Sequence, residues 1–254
     1  MKTIIKYDLL YFKKTSKFIV FGILGVFLAG LSALTAKYFN LIIEFSLGQE
    51  GIDITLPEPT VLESYTQFFS NFTQIYVFVL MFVAIMFFIQ DKTRGHYPLL
   101  FTKPIYRSHY LLSKSIVITA TVVVSYFVSA LFFGYYTYFL FGEFDVGLFL
   151  IASLAFIAFM LLMVHLGLVF SVVFKTYLGA IMVPIAIFIL FGLLTPLDGG
   201  IMKYLPQHLL VYPVSLMAQS VETSVVVITA LIALGISGGL IYLSIKLFQS
   251  KSLI

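Results

Sequence analysis

Apolar residues run through this chain in long continuous stretches and do not alternate with polar ones. Six stretches are free of Asp, Glu, Lys and Arg: 18–36, 64–90, 115–142, 146–174, 176–197 and 223–245. A helix needs about 20 mostly apolar residues to cross a hydrocarbon core, so each stretch predicts a transmembrane α-helix; barrel strands would alternate. The second stretch begins polar, with Gln67, Asn71 and Gln74, and its apolar part starts near Phe72. A seventh stretch, 204–221, holds Pro206, Gln207, His208, Pro213 and Gln219. Two prolines and three polar side chains make a crossing there expensive, so 195–222 predicts short re-entrant helices before the last span. The segment before the first span carries Lys2, Lys6, Lys13 and Lys17 on one helical face, with Ile4, Ile5, Tyr11 and Phe12 mostly opposite and Asp8 interrupting the pattern. It reads as an amphipathic interfacial helix over 1–17, the alternative being a plain basic juxtamembrane tail. The expected fold is an all-α integral membrane protein with six transmembrane helices, residues 1–254 forming one transmembrane domain.

Composition agrees with lipid as the solvent. Hydrophobic residues make up 61% and charged residues 10% of the chain, against roughly 25% charged in soluble domains. The chain has no cysteine, which excludes disulfides, thiol catalysis and cysteine-ligated zinc. With both termini on the cytoplasmic side, 13 of the 15 basic residues fall in cytoplasmic segments and only Lys37 and Lys203 fall outside. That asymmetry sets the orientation. It also accounts for the basic net charge without any nucleic-acid partner.

The longest cytoplasmic loop, 90–114, contains an apolar knob, Leu99-Leu100-Phe101, among charged residues. Exposed apolar residues in such a loop mark either a docking surface or scattered surface residues of no consequence. In order along the loop stand Asp91, Gly95, the leucines Leu99 and Leu100, Pro104, Arg107 and Lys114. This loop resembles the segment between the second and third spans of type-2 ABC exporter permeases: an acidic residue, a glycine, a leucine-containing stretch, Pro-x-x-Arg, and a lysine opening the next span. Asp91 stands where glutamate is usual, keeping the charge on a shorter arm, and His96 where threonine or serine is common. Six spans, both ends inside, an amphipathic N-terminal segment and an apolar outer region before the last span extend the resemblance over essentially the whole chain. The resemblance implies that Asp91, Thr93, Arg94, Gly95, His96, Leu99, Leu100, Phe101, Pro104 and Arg107 form a coupling element that docks on a separate cytoplasmic ABC ATPase. It also implies a transporter of two permeases, the second a copy or a homologue, and two ATPases. The chain has no G-x-x-x-x-G-K-[ST] phosphate loop, so ATP and Mg would reside on the partner, with no cofactor on this chain.

Other features have two readings each. Gly25, Ala29 and Ala33 line one face of the first span and permit close helix contact, within the chain or between subunits; Gly235 and Gly239 repeat the spacing on the last span. Pro184 lies within the fifth span and His165 midway along the fourth. Both are candidate pathway residues, although a lone neutral histidine also serves to hydrogen-bond a neighbouring helix. Tyr135, Tyr136, Tyr138 and Phe139 crowd the outer end of the third span as an interfacial belt or a wall for apolar cargo. No H-E-x-x-H, G-x-S-x-G or intramembrane carboxylate pair occurs, and the four scattered histidines give no metal site. The leading reading is a non-catalytic, multi-pass permease subunit of an ATP-driven exporter in a bacterial cytoplasmic membrane. Its cargo would be a hydrophobic or amphipathic peptide or toxin ahead of a lipid or drug. An intramembrane enzyme or a channel subunit is the alternative.

Overall fold

The computed structural model describes residues 2–15, 17–47, 58–95, 97, 106–197 and 199–250. The elements among them are α1 (Lys2–Lys14), α2 (Lys17–Leu47), α3 (Val61–Asn71), a π-helical turn (Phe72–Tyr76), α4 (Val77–Thr93), α5 (Arg107–Phe141), α6 (Val146–Val173), α7 (Tyr177–Leu194), two 3-10 turns (Met202–Tyr204 and Pro206–Leu210), α8 (Tyr212–Met217) and α9 (Thr223–Ser250). There is no strand among the described residues. Among the described residues six helical runs are long and apolar enough to cross a membrane: Phe18–Ile43, Val61–Thr93, Arg107–Phe141, Val146–Val173, Tyr177–Leu194 and Thr223–Ser250. They coincide with the six predicted spans. The helices often run past the charge-free stretches, because charge at a helix end is tolerated when it is paired. Thus α5 starts at Arg107 and carries Lys114 inside it.

Sequence chemistry sets the boundaries. Gly142, at φ +78, ends α5 in the left-handed conformation that favours glycine. Asp145 then starts α6, its Oδ1 accepting from the Leu148 N–H at 2.9 Å. Thr176 does the same for α7, accepting from the Gly179 N–H at 3.3 Å. No crossing forms among the described residues of 195–222; Pro206 and Pro213 sit at the starts of short helices, where a missing N–H costs nothing.

Helix α6 is the axis of the bundle, packing against α4, α5, α7, α8 and α9. Of its most apolar stretch 67% is buried, against 17% for α7, which lies on the periphery. The core between α3, α5 and α6 is an aromatic stack in which Phe68 lies 4.3 Å from Phe133 and 4.4 Å from Phe72, and Phe72 meets Tyr126 edge-on at 5.5 Å. Lipid tails are as apolar as these side chains, so packing quality and not water exclusion drives the association. Close approach supplies it. The small face of α2, with Gly25, Ala29 and Ala33 buried, turns onto α5, where a Cβ on Gly25 would meet Ser129 Oγ at 2.1 Å. Gly167 lets α6 approach Ile85 of α4 in the same way. Gly235 and Gly239 of α9 have open space around them and lie on an exposed face. Tyr135, Tyr138 and Phe139 project outward at the end of α5.

The spans alternate in direction. One end of the bundle gathers α1, the end of α4, the start of α5, the α6–α7 turn and the end of α9. Lysines and arginines concentrate there, and it is called the basic end below.

Candidate coupling site at the basic end

The site is built around a lysine. Lys114 lies two turns into α5 with 1% of its side chain exposed. Its Nζ is 2.8 Å from Asp91 Oδ2 at the end of α4 and donates to the Phe87 carbonyl at 2.8 Å. It also rests over the Phe87 ring at 4.3 Å and the Tyr110 ring at 5.2 Å. Asp91 Oδ2 accepts a second bond from the Tyr110 hydroxyl at 2.5 Å. An ammonium taken out of water costs several kcal/mol unless its donors are used; the carboxylate, carbonyl and two ring faces use them.

A second carboxyl comes from α1. Asp8 is 3% exposed and accepts from Ser113 Oγ at 2.6 Å. Burial raises its pKa above the ordinary value; the nearby Lys114 and the Ser113 hydrogen bond work against that rise, and Asp91 adds to it. The residue that interrupts the amphipathic pattern is therefore part of the buried face of α1. It lies one turn from Phe12, which meets Phe87 edge-on at 4.5 Å, while Tyr11 donates to Gln90 Oε1 at 2.6 Å. The helical wheel places Asp8 between Ile4, Ile5 and Phe12, so its burial was readable from the spacing.

Two further basic residues tie the loop's ends to other helices. Lys92 donates from Nζ to the carbonyls of Val172, at 3.1 Å, and of Ser171 and Phe174, capping the C-terminus of α6. Arg107 donates from Nη1 to the carbonyls of Gln249, at 3.1 Å, and Phe248, at 3.4 Å, near the end of α9. Cations there satisfy the last carbonyls and oppose the helix dipole, contributing about 0.3–1 kcal/mol each, more when partly buried. Tyr97 packs edge-on against Tyr110 at 6.0 Å and Phe248 at 5.6 Å, and burial drives its hydroxyl pKa upward, with Asp91 adding.

Of the residues predicted for the coupling element, Asp91 and Arg107 take part in this cluster. Thr93, Arg94 and Gly95 are exposed at the end of α4, where Thr93 Oγ1 donates back to the Gln90 carbonyl at 3.1 Å and Gly95 leaves the helix at φ +67. His96, Leu99, Leu100, Phe101 and Pro104 lie outside the described residues. Sequence reasoning missed the roles of Asp8, Lys92, Tyr97 and Tyr110. Lys92 carries no sequence signal, because its partners are backbone carbonyls about 80 residues away.

The candidate pathway residues lie elsewhere. His165 is buried where α5, α6 and α9 meet, its Nδ1 2.6 Å from Ser237 Oγ and its Nε2 2.9 Å from Ser115 Oγ and 3.4 Å from Thr119 Oγ1. Both ring nitrogens are thus engaged by hydroxyls, and the histidine ties three spans together. Pro184 is buried in the middle of α7.

A profile of the family described as "ABC-2 family transporter protein" matches residues 3–211, from α1 through the second 3-10 turn. The chain belongs to the ABC-2 family. No curated protein matches it. An ABC-2 permease is the membrane subunit of a transporter, is not catalytic by itself, and works with an ABC ATPase subunit. In this ABC-2 permease the matched region holds α1, α4, α5 and the loop between the last two, while α9, which Arg107 caps, lies beyond it.

Proposed function

We propose that this permease is the transmembrane subunit of an ATP-driven exporter in a bacterial cytoplasmic membrane, with the basic end facing the cytoplasm. The 93–103 segment is its ATPase-docking element. The carrying observation is the buried Lys114–Asp91 pair, 2.8 Å apart, with Lys92 and Arg107 fixed to the ends of α6 and α9. Together they make a rigid frame on both sides of the loop. A force applied to the loop therefore reaches α6 and α9 through short polar contacts. ATP and Mg belong to the partner. Two permeases, this chain with a copy or homologue, and two ATPases complete the transporter, and membrane lipid covers the remaining apolar surface. The cargo best suited to so apolar and compact a permease is a hydrophobic or amphipathic peptide or toxin.

The test is the double substitution Leu100→Asp with Phe101→Asp. Burying a large apolar side chain in a partner cleft contributes about 1.5–3 kcal/mol, and the two aspartates would force charge into it. The variant is expected to insert normally and to lose the co-purifying ATPase together with export. A variant that keeps both would refute the docking assignment.

A further inference from the structure

The outer face of α3 does not have the chemistry of a lipid-facing helix. One side of α3 is core: Ser64, Tyr65, Phe68 and Phe69 are buried against the bundle, and Ser64 Oγ lies 3.0 Å from Thr137 Oγ1. On the opposite side, at helical spacing, stand Thr66, Gln67, Ser70 and Gln74, all exposed or half-buried. No side-chain hydrogen bond is made by Gln67, Ser70 or Gln74 among the described residues, and Thr66 bonds only within its own turn, to the Leu62 carbonyl. Asn71, on the flank, donates to Ser32 Oγ of α2 at 2.9 Å. The buried Thr73 Oγ1 has no partner among the described residues.

The face changes character at the π-helical turn Phe72–Tyr76. Within the turn Ile75, and beyond it Phe82 and Met86, point outward, each 41–47% exposed. A hydrocarbon core about 30 Å thick spans about 20 residues at 1.5 Å per residue. Counted from Gln90 at the basic end, that brings the far boundary to about Ser70. Gln74 then lies about one turn inside the hydrocarbon. An uncompensated amide there costs on the order of 2–7 kcal/mol, and polar groups at that depth face a bundle interior or a water-filled cavity.

We infer that the Thr66–Gln67–Ser70–Gln74 face lines a water-filled vestibule open to the side opposite the basic end, forming the exit portion of the transport path. Its carboxamides and hydroxyls donate and accept without net charge. They suit a cargo with uncharged hydrogen-bonding groups, such as peptide amides, and do not hold it by ion pairing. The π-helical turn marks the vestibule floor, below which the same side of the helix is apolar. This role rests on the export reading, but its test needs neither the ATPase nor a cargo.

The chain has no cysteine, so single cysteines report one position each. Gln67→Cys, Ser70→Cys, Gln74→Cys, Phe82→Cys and Met86→Cys would be made in the full-length permease in intact cells. They would be exposed to a charged, membrane-impermeant methanethiosulfonate from outside, with labelling after denaturation giving the total thiol. The first three are expected to react about tenfold or more faster than the last two, because a thiolate needs water to form. Reaction at Gln67→Cys alone, with Gln74→Cys as slow as Phe82→Cys, would reduce the face to an interfacial collar and overturn the inference. Slow reaction at all three, from cover by lipid or by a second copy, would also overturn it. Absence of any co-purifying ATPase and of export for the unsubstituted permease, with the labelling pattern intact, would count against the export reading alone.

Discussion

At the scale of single residues, Lys114 decides most. It is one ammonium between two carboxyls, Asp91 in direct contact and Asp8 one neighbour away through Ser113. Removing one member of a buried pair costs about 3–5 kcal/mol, because the other charge is left uncompensated, whereas replacing both with apolar groups of similar volume is often neutral. Lys114→Met is therefore expected to lower the thermal stability of the purified permease strongly. Lys114→Met combined with Asp91→Leu should recover part of that loss, since the stranded carboxylate goes with its partner. Thermal unfolding of the single and double variants in one detergent measures the difference. Equal losses in the two would show that the pair contributes packing and not charge compensation.

At the scale of elements, the spans were legible and their contacts were not. Continuous apolar runs give six crossings, because lipid demands them and nothing else in the chain does. The prolines of 204–221 remove the seventh for an equally local reason. Which face meets which neighbour depends on close approach, and sequence spacing alone left the Gly25, Ala29 and Ala33 face with two partners. The geometry turns it onto α5. Adding a methyl at Gly25 would place it 2.1 Å from Ser129 Oγ and 3.2 Å from Ser129 Cβ. Gly25→Ala should therefore reduce accumulation of folded protein, with a cost of about 1–3 kcal/mol for overpacking. Ser129→Ala in the same chain should restore much of it by removing the nearer atom. Folded yield after detergent extraction checks this; no rescue would mean that the backbones and not the hydroxyl set the α2–α5 distance. Gly22→Ala, which meets nothing within 4 Å, serves as the control. Asp8 shows the opposite limit: its position on the apolar face of α1 was visible, but its Ser113 partner lies 105 residues away, and no local pattern encodes that.

For the whole molecule, the arrangement of ends predicts sidedness. α1, the α6–α7 turn and the end of α9 share the basic end, while the short helices over 202–217 lie at the other. Cysteines at Lys6 and Lys175, both exposed, should be modified only from the cytoplasm, and cysteines at Gly200 and Ser220, also exposed, only from outside. Both of the latter reacting from the cytoplasm would reverse the orientation, and a split between them would add a crossing. The buried charge cluster also bears on how the chain is made. A lysine two turns inside a spanning helix is a poor substrate for release into lipid on its own. Both of its counter-charges precede it in the chain, Asp8 in α1 and Asp91 at the end of α4, so they have left the ribosome before Lys114 emerges. The third span thus meets its ion-pair partner already in place. Correct seating of the second span therefore favours its insertion, and a mis-oriented early segment would leave this one residue without its counter-charges once it emerges.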